Sequence, residues 1–311
     1  MLQKCKIFIA FYFYAVIMKI AIKRIKRGFF MSKIMKILMI GSSYCFYYCD
    51  ELYAMAHADG VEMKIGNLYI NGGMIKQHYD QVTLNEPVYW YIVNDKDGRN
   101  RQMQYKIQDA LAAEDWDVVT NQESYHPGYG MLNPLDNAKT CKYAKLMFDY
   151  CKERFPNAKH YWHAVWAKEV GFLGAPTPEN KANNFANVDE IFQVRNKEKQ
   201  TDSYERIRDN SKQVCEENDV QAIPTGLAWQ IAREDPRVGD TLCMAADKTH
   251  DGEEEGGQYL NACVWYEILT GNSCLGNTWR PEYALPEEKL LAIQECAHKA
   301  VAQFRAEGFS K

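Results

Sequence analysis

Short apolar runs alternate with polar loops and helix-like segments along most of the chain. Each run has the length and the bounding residues of a buried strand. The predicted strands are Lys36 to Ile40, Met63 to Ile70, Trp116 to Thr120, His160 to Val165 and Gln221 to Pro224. Because strands that alternate with helices favour a parallel sheet covered on both faces, the pattern predicts a three-layer α/β fold around about five strands.

Amphipathic segments between these runs predict the helices of the outer layers. They lie near Tyr47 to Ala58, Met103 to Ala113, Asn137 to Phe155, Ser203 to Asn218, Gly257 to Thr270 and Pro286 to Glu307. Alternating apolar residues on both sides of Asp97-Gly98 predict a β-hairpin. We expect this hairpin to decorate the sheet.

The first thirty residues require a separate interpretation. The apolar run from Ile7 to Met18 resembles the core of a signal peptide, but basic residues follow it and no small-residue cleavage site is present. At about twelve residues it is also short for a membrane span of about twenty. We therefore predict that residues 1–30 are an extension, either a mistaken start or a hydrophobic segment that is not cleaved, and that residues 31–311 form one domain.

Composition narrows the class of protein. Of 311 residues, 47% are hydrophobic and 25% are charged, which is typical of a globular domain. The net charge of -4 and the absence of a basic cluster beyond the N-terminus argue against a nucleic-acid partner. Ten scattered cysteines without metal or redox spacing indicate reduced thiols and a cytoplasmic location. If residues 1–30 are genuine, the alternative is a membrane-associated or exported protein, still without stable membrane insertion.

Polar residues follow the predicted strands, where open parallel sheets bind their ligands. These places are Gly41-Ser42-Ser43, Asn71-Gly72-Gly73, Asn121-Gln122-Glu123-Ser124, Trp166-Ala167 and the segment from Met244 to Leu260. In the last segment Asp247 precedes His250 by three positions, so a carboxylate can orient an imidazole that takes a proton from a hydroxyl. Ser43 is the candidate hydroxyl, since it begins a helix-like segment whose N–H groups favour an oxyanion.

Four segments in this order resemble the SGNH, or GDSL-like, hydrolase superfamily, and more closely the DUF4886 branch of bacterial proteins. They are "MIGSS", "NGGMIKQH", "WDVVTNQES" and "DKTHDGEEEGGQYLNACVWYEILTG", and the likeness runs from about Lys36 to Gly271. The resemblance implies a flavodoxin-like fold with Ser43 as nucleophile. It also implies that Gly72 lends its N–H to the oxyanion hole and that Asp247 and His250 complete a triad.

Two positions depart from the superfamily pattern. Many relatives have Gly-Asp-Ser or Gly-Asn-Ser where this chain has Gly41-Ser42-Ser43, and the asparagine of the third block is replaced by Gln122 next to Asn121. Because successive strand residues face opposite sides, only one of the two amides can point into the site. We choose Gln122 for the oxyanion hole, together with the N–H groups of Ser43 and Gly72, and keep Asn121 in reserve.

Each candidate residue also has a simpler interpretation. Ser43 alone would be a helix cap, and Ser42 is the more natural cap or turn residue. His78 could contact substrate or hold a loop by hydrogen bonding. Trp166 could be a stacking platform for substrate or part of the core.

The sequence thus predicts a serine esterase that forms an acyl-enzyme on Ser43, plausibly a carbohydrate O-deacetylase. Its substrate would be a small-molecule or carbohydrate ester, and it would need no metal or organic cofactor. The alternative is a non-catalytic, flavodoxin-like domain that binds a sugar or nucleotide. No glycine-rich phosphate loop follows the first strand, which disfavours the nucleotide.

Overall fold

A seven-stranded sheet forms the centre of the protein, in the order β4-β3-β2-β1-β5-β6-β7. The computed structural model describes residues 33–124, 137–167, 199–239, 256–282 and 285–309. The strands are β1 (Met35–Gly41), β2 (Met63–Tyr69), β3 (Tyr89–Asp95), β4 (Gly98–Tyr105), β5 (Val118–Asn121), β6 (Lys159–His163) and β7 (Gln221–Ile223).

Helices cover the sheet and connect its strands. Within the described residues they are α1 (Cys49–Ala58), α2 (Ile75–Leu84), α3 (Ile107–Ala112), α4 (Asn137–Arg154), α5 (Gln200–Asn218), α6 (Thr225–Glu234), α7 (Gly257–Thr270) and α8 (Glu287–Glu307). A short 3₁₀ turn, Ser43–Cys45, follows β1.

Five strands run parallel, as the sequence predicts. β1 pairs with both β2 and β5, and β6 joins β5 to β7. The predicted hairpin is also confirmed, but it does more than decorate the sheet: β3 pairs antiparallel with β2, and β4 with β3. The hairpin therefore widens the sheet by two strands on the β2 side.

Two apolar cores lie on the two faces of the sheet. One is built mainly with α1, α6, α7 and α8 and contains the buried rings of Trp166, Trp229 and Trp265. The other is built mainly with α2, α3, α4 and α5 and contains Phe148 and Trp162. The α/β fold with helices on both sides of a mostly parallel sheet is thus confirmed.

The predicted helices differ from those of the structure at three places. Met103 to Tyr105 belong to β4, and the helix begins only at Ile107; β4 is exposed at every position but its last, so it shows no apolar alternation. Helices α2 and α6 were missed. The buried face of α2 includes His78 and Gln81, which hides its apolar period.

No helix among the described residues is both long and apolar enough to span a membrane. The predicted extension, residues 1–30, lies outside the described residues.

Close packing of α6 against the end of β6 provides a test of the fold. A Cβ at Gly226 would lie 2.5 Å from the Val165 carbonyl oxygen, so Gly226→Ala must displace the helix. We expect it to lower the free energy of unfolding by about 1–3 kcal/mol, measured by urea denaturation. Gly239→Ala is the matched control, because its Cβ would meet nothing nearer than 3.5 Å. Equal stability of the two variants would contradict this packing.

Candidate active site

The turn that carries Ser43 is fixed at the carboxyl end of β1. Ser42 remains extended, and Ser43 begins the 3₁₀ turn with 4% of its surface exposed. The Cys45 N–H donates to the Ser42 carbonyl (3.0 Å), and Asn67 of β2 donates to the Cys45 carbonyl (2.5 Å). A buried amide on the neighbouring strand thereby holds the backbone around Ser43.

Gln122 reaches this turn from the end of β5. Its amide Nε2 donates to Ser42 Oγ at 2.8 Å, and both residues are buried. To do so the side chain crosses Gly41, where a Cβ would lie 2.5 Å from Gln122 Cδ. Asn121 points the other way and lies beside the Cys151 thiol of α4.

The two amides of this loop therefore have different surroundings. Gln122 faces the Ser42–Ser43 turn, whereas Asn121 faces α4. One Gln122 amide proton points at the Ser42 hydroxyl, so its role in an oxyanion hole stays a prediction. Asn121 is fully buried, and its role in substrate binding likewise stays a prediction.

His163, which the sequence analysis did not single out, extends the Gln122 contact into the protein. Its Nδ1 lies 3.2 Å from Gln122 Oε1, and its Nε2 lies 2.8 Å from the Thr225 hydroxyl. Burial lowers the pKa of His163 to about 3, so the ring is neutral. A neutral ring donates from one nitrogen and accepts at the other. Because the Gln122 amide oxygen can only accept, Nδ1 carries the proton, and Nε2 accepts from the Thr225 hydroxyl, which also lies 3.0 Å from the Ala164 carbonyl oxygen.

The Gly72 turn lies at the end of β2, beside the Ser43 turn. Gly72 has φ +61°, a left-handed conformation that glycine adopts without strain. The next N–H, that of Gly73, donates to the Ile70 carbonyl at 2.9 Å. Gly72 itself is half-buried, so this turn reaches the surface at the edge where the sequence predicts an oxyanion donor.

His78 lies beneath that turn. It is fully buried, its Nδ1 lies 3.1 Å from the Tyr89 hydroxyl, and the two rings stack at 5.6 Å. Burial lowers the pKa of His78 to about 3. These contacts support the loop-holding alternative for His78, and contact with substrate stays a prediction.

Glu123 joins the β5 loop to the helix that follows the Gly72 turn. Its Oε1 accepts the N–H of Ile75, the first residue of α2, at 3.2 Å and the N–H of Ser124 at 2.8 Å. Burial raises the pKa of Glu123 to about 7, although both N–H groups favour the carboxylate. Gln122 and Glu123 therefore hold the Ser43 and Gly72 turns against the same end of β5.

Trp166 is packed in the core that lies behind the Ser43 turn. It stacks on Trp229 at 4.9 Å with nearly parallel rings and meets the edge of Tyr44 at 4.6 Å. Only 2% of Trp166 is exposed, which supports its interpretation as a core residue. Its role as a platform for substrate stays a prediction.

The predicted base and its partner are not placed. Asp247 and His250 lie outside the described residues, as does the loop that contains them. Helix α7, which begins at Gly257 shortly after this loop, is almost wholly buried, and its Trp265 ring lies 5.1 Å from His163. The triad thus stays a prediction.

The chain matches a protein family over most of its length. A family model described as "Domain of unknown function (DUF4886)" matches residues 36–300. A solved DUF4886 family protein from Bacteroides uniformis has a TM-score of 0.68 and 28% identity, over 87% of this chain and 95% of that one. No curated protein matches the chain.

A second solved structure is a more distant neighbour. It comes from Parabacteroides merdae and is named as a GDSL-like lipase, with a TM-score of 0.41 and 11% identity over 88% of this chain and 98% of that one. A likeness at this level carries no argument about activity.

The pKa of Glu123 predicts a pH-dependent stability that Glu123→Gln removes. In the unfolded chain the carboxyl loses its proton near 4.5, whereas in the folded protein it keeps the proton up to about 7. Over this interval the folded state binds more protons, so this group makes stability fall as pH rises, by about 1.4 kcal/mol per pH unit at most.

Urea denaturation of both proteins between pH 4.5 and 8 measures this effect. The stability of Glu123→Gln relative to wild type should increase with pH up to about 7 and then level off. Parallel stability curves for the two proteins would contradict the assignment.

Proposed function

The chain belongs to the DUF4886 family, and we propose that it is a serine hydrolase that cleaves an ester and removes an acetyl group from a carbohydrate. The observation that carries the proposal is the attachment of the Ser43 turn to β5 through Gln122, beside the Gly72 turn. It supports a site in which a nucleophile and donors for an oxyanion are held in place before substrate arrives.

The proposed reaction has two halves. His250 takes the Ser43 proton while Ser43 Oγ forms a bond to the ester carbonyl carbon, and Asp247 orients the imidazole. The C–O bond to the alcohol then breaks, His250 returns the proton to the leaving oxygen, and an acyl-enzyme remains on Ser43. A water activated by His250 releases the acid and restores Ser43.

The developing negative charge would be stabilised by three donors. These are the N–H groups of Ser43 and Gly72 and the Gln122 amide. Removing one such donor typically costs about 2.7–4 kcal/mol of transition-state stabilisation. His163, held between Gln122 and Thr225, would contribute by fixing the orientation of the Gln122 amide.

Labelling with a fluorophosphonate probe tests the nucleophile. Wild type should be labelled on Ser43, Ser43→Ala should not be labelled, and His250→Ala should react at least about a thousandfold more slowly. Ser42→Ala is the matched control for the site of labelling, because Ser42 is an adjacent, fully buried hydroxyl; since this variant also removes the Gln122 contact, it should react more slowly than wild type. It should keep the label on Ser43. A folded wild-type protein that resists the probe would instead favour the non-catalytic, sugar-binding alternative.

A screen against p-nitrophenyl esters and acetylated sugars tests the reaction. Wild type should release acid from at least one of them, and Ser43→Ala should lose at least about a thousandfold in kcat/KM. Release of acid at an equal rate by both proteins would show that Ser43 is not the nucleophile.

A further inference from the structure

A row of aromatic rings leads away from the Ser43 turn across the hairpin side of the sheet. The strand register places Gly41 opposite Tyr69, and Tyr69 opposite Trp90. Neighbouring strands are about 4.8 Å apart, so Trp90 lies roughly 10 Å from the strand that presents Ser43. The Tyr69 ring contacts Trp90 at 5.1 Å and Phe46 at 4.8 Å, and the Phe46 and Trp90 rings are both half-buried.

Two arginines of β4 cover these rings. The guanidinium of Arg99 lies 4.7 Å from the Phe46 ring centre, and that of Arg101 lies 4.9 Å from the Trp90 ring centre. Arg99 forms an ion pair with Asp50, in which Nη1 lies 2.5 Å from Oδ2, so its charge is neutralised. Among the residues that the structure describes, Arg101 is in no ion pair, and it is exposed.

The N–H groups of a guanidinium lie in its own plane, so they stay free to donate when its face lies over an aromatic ring. These groups can then bind a planar anion through two parallel hydrogen bonds. The stack also restricts the arginine before the anion arrives, which lowers the entropy cost of binding. Arg101, which lies over the Trp90 ring, is exposed and is in no ion pair among the described residues, so it is able to bind a carboxylate in this way.

The position of the pair relates it to the candidate active site. Tyr69, whose ring contacts Trp90, also donates through its hydroxyl to Asn71 Oδ1 at 3.1 Å, and Asn71 directly precedes Gly72. The whole chain has a net charge of -4, so a positive group beside this site is a local feature and not a consequence of a basic protein.

We propose that Arg101, stacked on Trp90, binds the carboxylate of an acidic sugar and so selects esters of acidic carbohydrates over those of neutral ones. The identity of the bound molecule as an ester rests on the proposed function. The binding of the carboxylate does not require that the ester be cleaved.

Binding measured without hydrolysis tests the subsite. Methyl glucuronoside and methyl glucoside, which differ in one carboxylate, are titrated by NMR into the Ser43→Ala protein. We expect the glucuronoside to bind about tenfold more tightly, and this preference to weaken as salt is added. Arg101→Gln in the same background should abolish the preference, and Trp90→Leu should reduce it. Arg101→Lys keeps the positive charge but lacks the planar guanidinium, so it should keep only part of the preference for the glucuronoside.

Arg154→Gln is the matched control. Arg154 also stacks on a ring, that of Phe155 at 5.8 Å, but it ends α4 near the amino end of β6, at the opposite edge of the sheet. This variant should retain the full preference for the glucuronoside. Circular dichroism of each variant shows whether it is folded.

The two proposals fail separately. Equal binding of both sugars by the Ser43→Ala protein, no binding of either, or a preference that survives in folded Arg101→Gln would each overturn the subsite. If the subsite holds and wild type cleaves no ester of either sugar, the proposed function fails while the subsite stands. If acetylated glucuronoside and glucoside are cleaved with the same ratio of kcat/KM in wild type and Arg101→Gln, the subsite is wrong and the esterase stands.

Discussion

The crossing of the Gln122 side chain over the backbone of Gly41 is the contact on which the rest of the candidate site depends. It brings a buried amide from β5 to the Ser42 hydroxyl, and His163 and Thr225 continue the same chain of hydrogen bonds. Each member is buried, so the loss of one removes a hydrogen-bond partner from its neighbours in a place that water does not reach, at a cost of about 1–3 kcal/mol. The ends of β1, β5 and β6 therefore keep one arrangement together.

Burial of ionisable groups near this series of hydrogen bonds affects how the stability of the folded protein changes with pH. Some groups raise the stability as pH rises, and another lowers it. His78 and His163 stay neutral in the folded state, with pKa values of about 3, whereas Glu123 holds its proton to about 7. Between about pH 4.5 and 6.5 the two histidines bind protons only in the unfolded chain, which makes stability rise with pH, and Glu123 opposes them. Above about 6.5 only Glu123 still contributes, and its contribution falls until about pH 7. The combined contribution of these three groups to the stability of the folded state is therefore largest near pH 6.5.

The elements that could be predicted from sequence are those whose burial follows a simple period. The bounds of α7 were predicted in full, since glycines flank a mostly apolar segment, and the five parallel strands differ from prediction only at their ends. Helix α2 was missed because polar side chains occupy part of its buried face. The exposed strand β4 was partly missed because neither of its faces is apolar.

Some features of the candidate site could likewise be predicted from sequence, and others could not. Residue types at the strand ends could be predicted, because any parallel sheet brings those ends to one edge. Their partners could not be, since the pairing of Gln122 with Ser42 and with His163 depends on β5 lying between β1 and β6. His163 also lies within an apolar stretch, so its sequence context indicates an ordinary buried strand. The signal that could have identified it is its position as the last residue of that strand.

The side chains at positions 42 and 122 fit one another in length. Ser42 presents a short hydroxyl and Gln122 a long amide, and the two meet at 2.8 Å. A carboxylate at position 42 would be fully buried beside the neutral Gln122 amide, and its desolvation would be costly. The neutral Ser42 hydroxyl avoids this desolvation cost and accepts the bond that Gln122 donates, so the Ser43 turn keeps its attachment to β5.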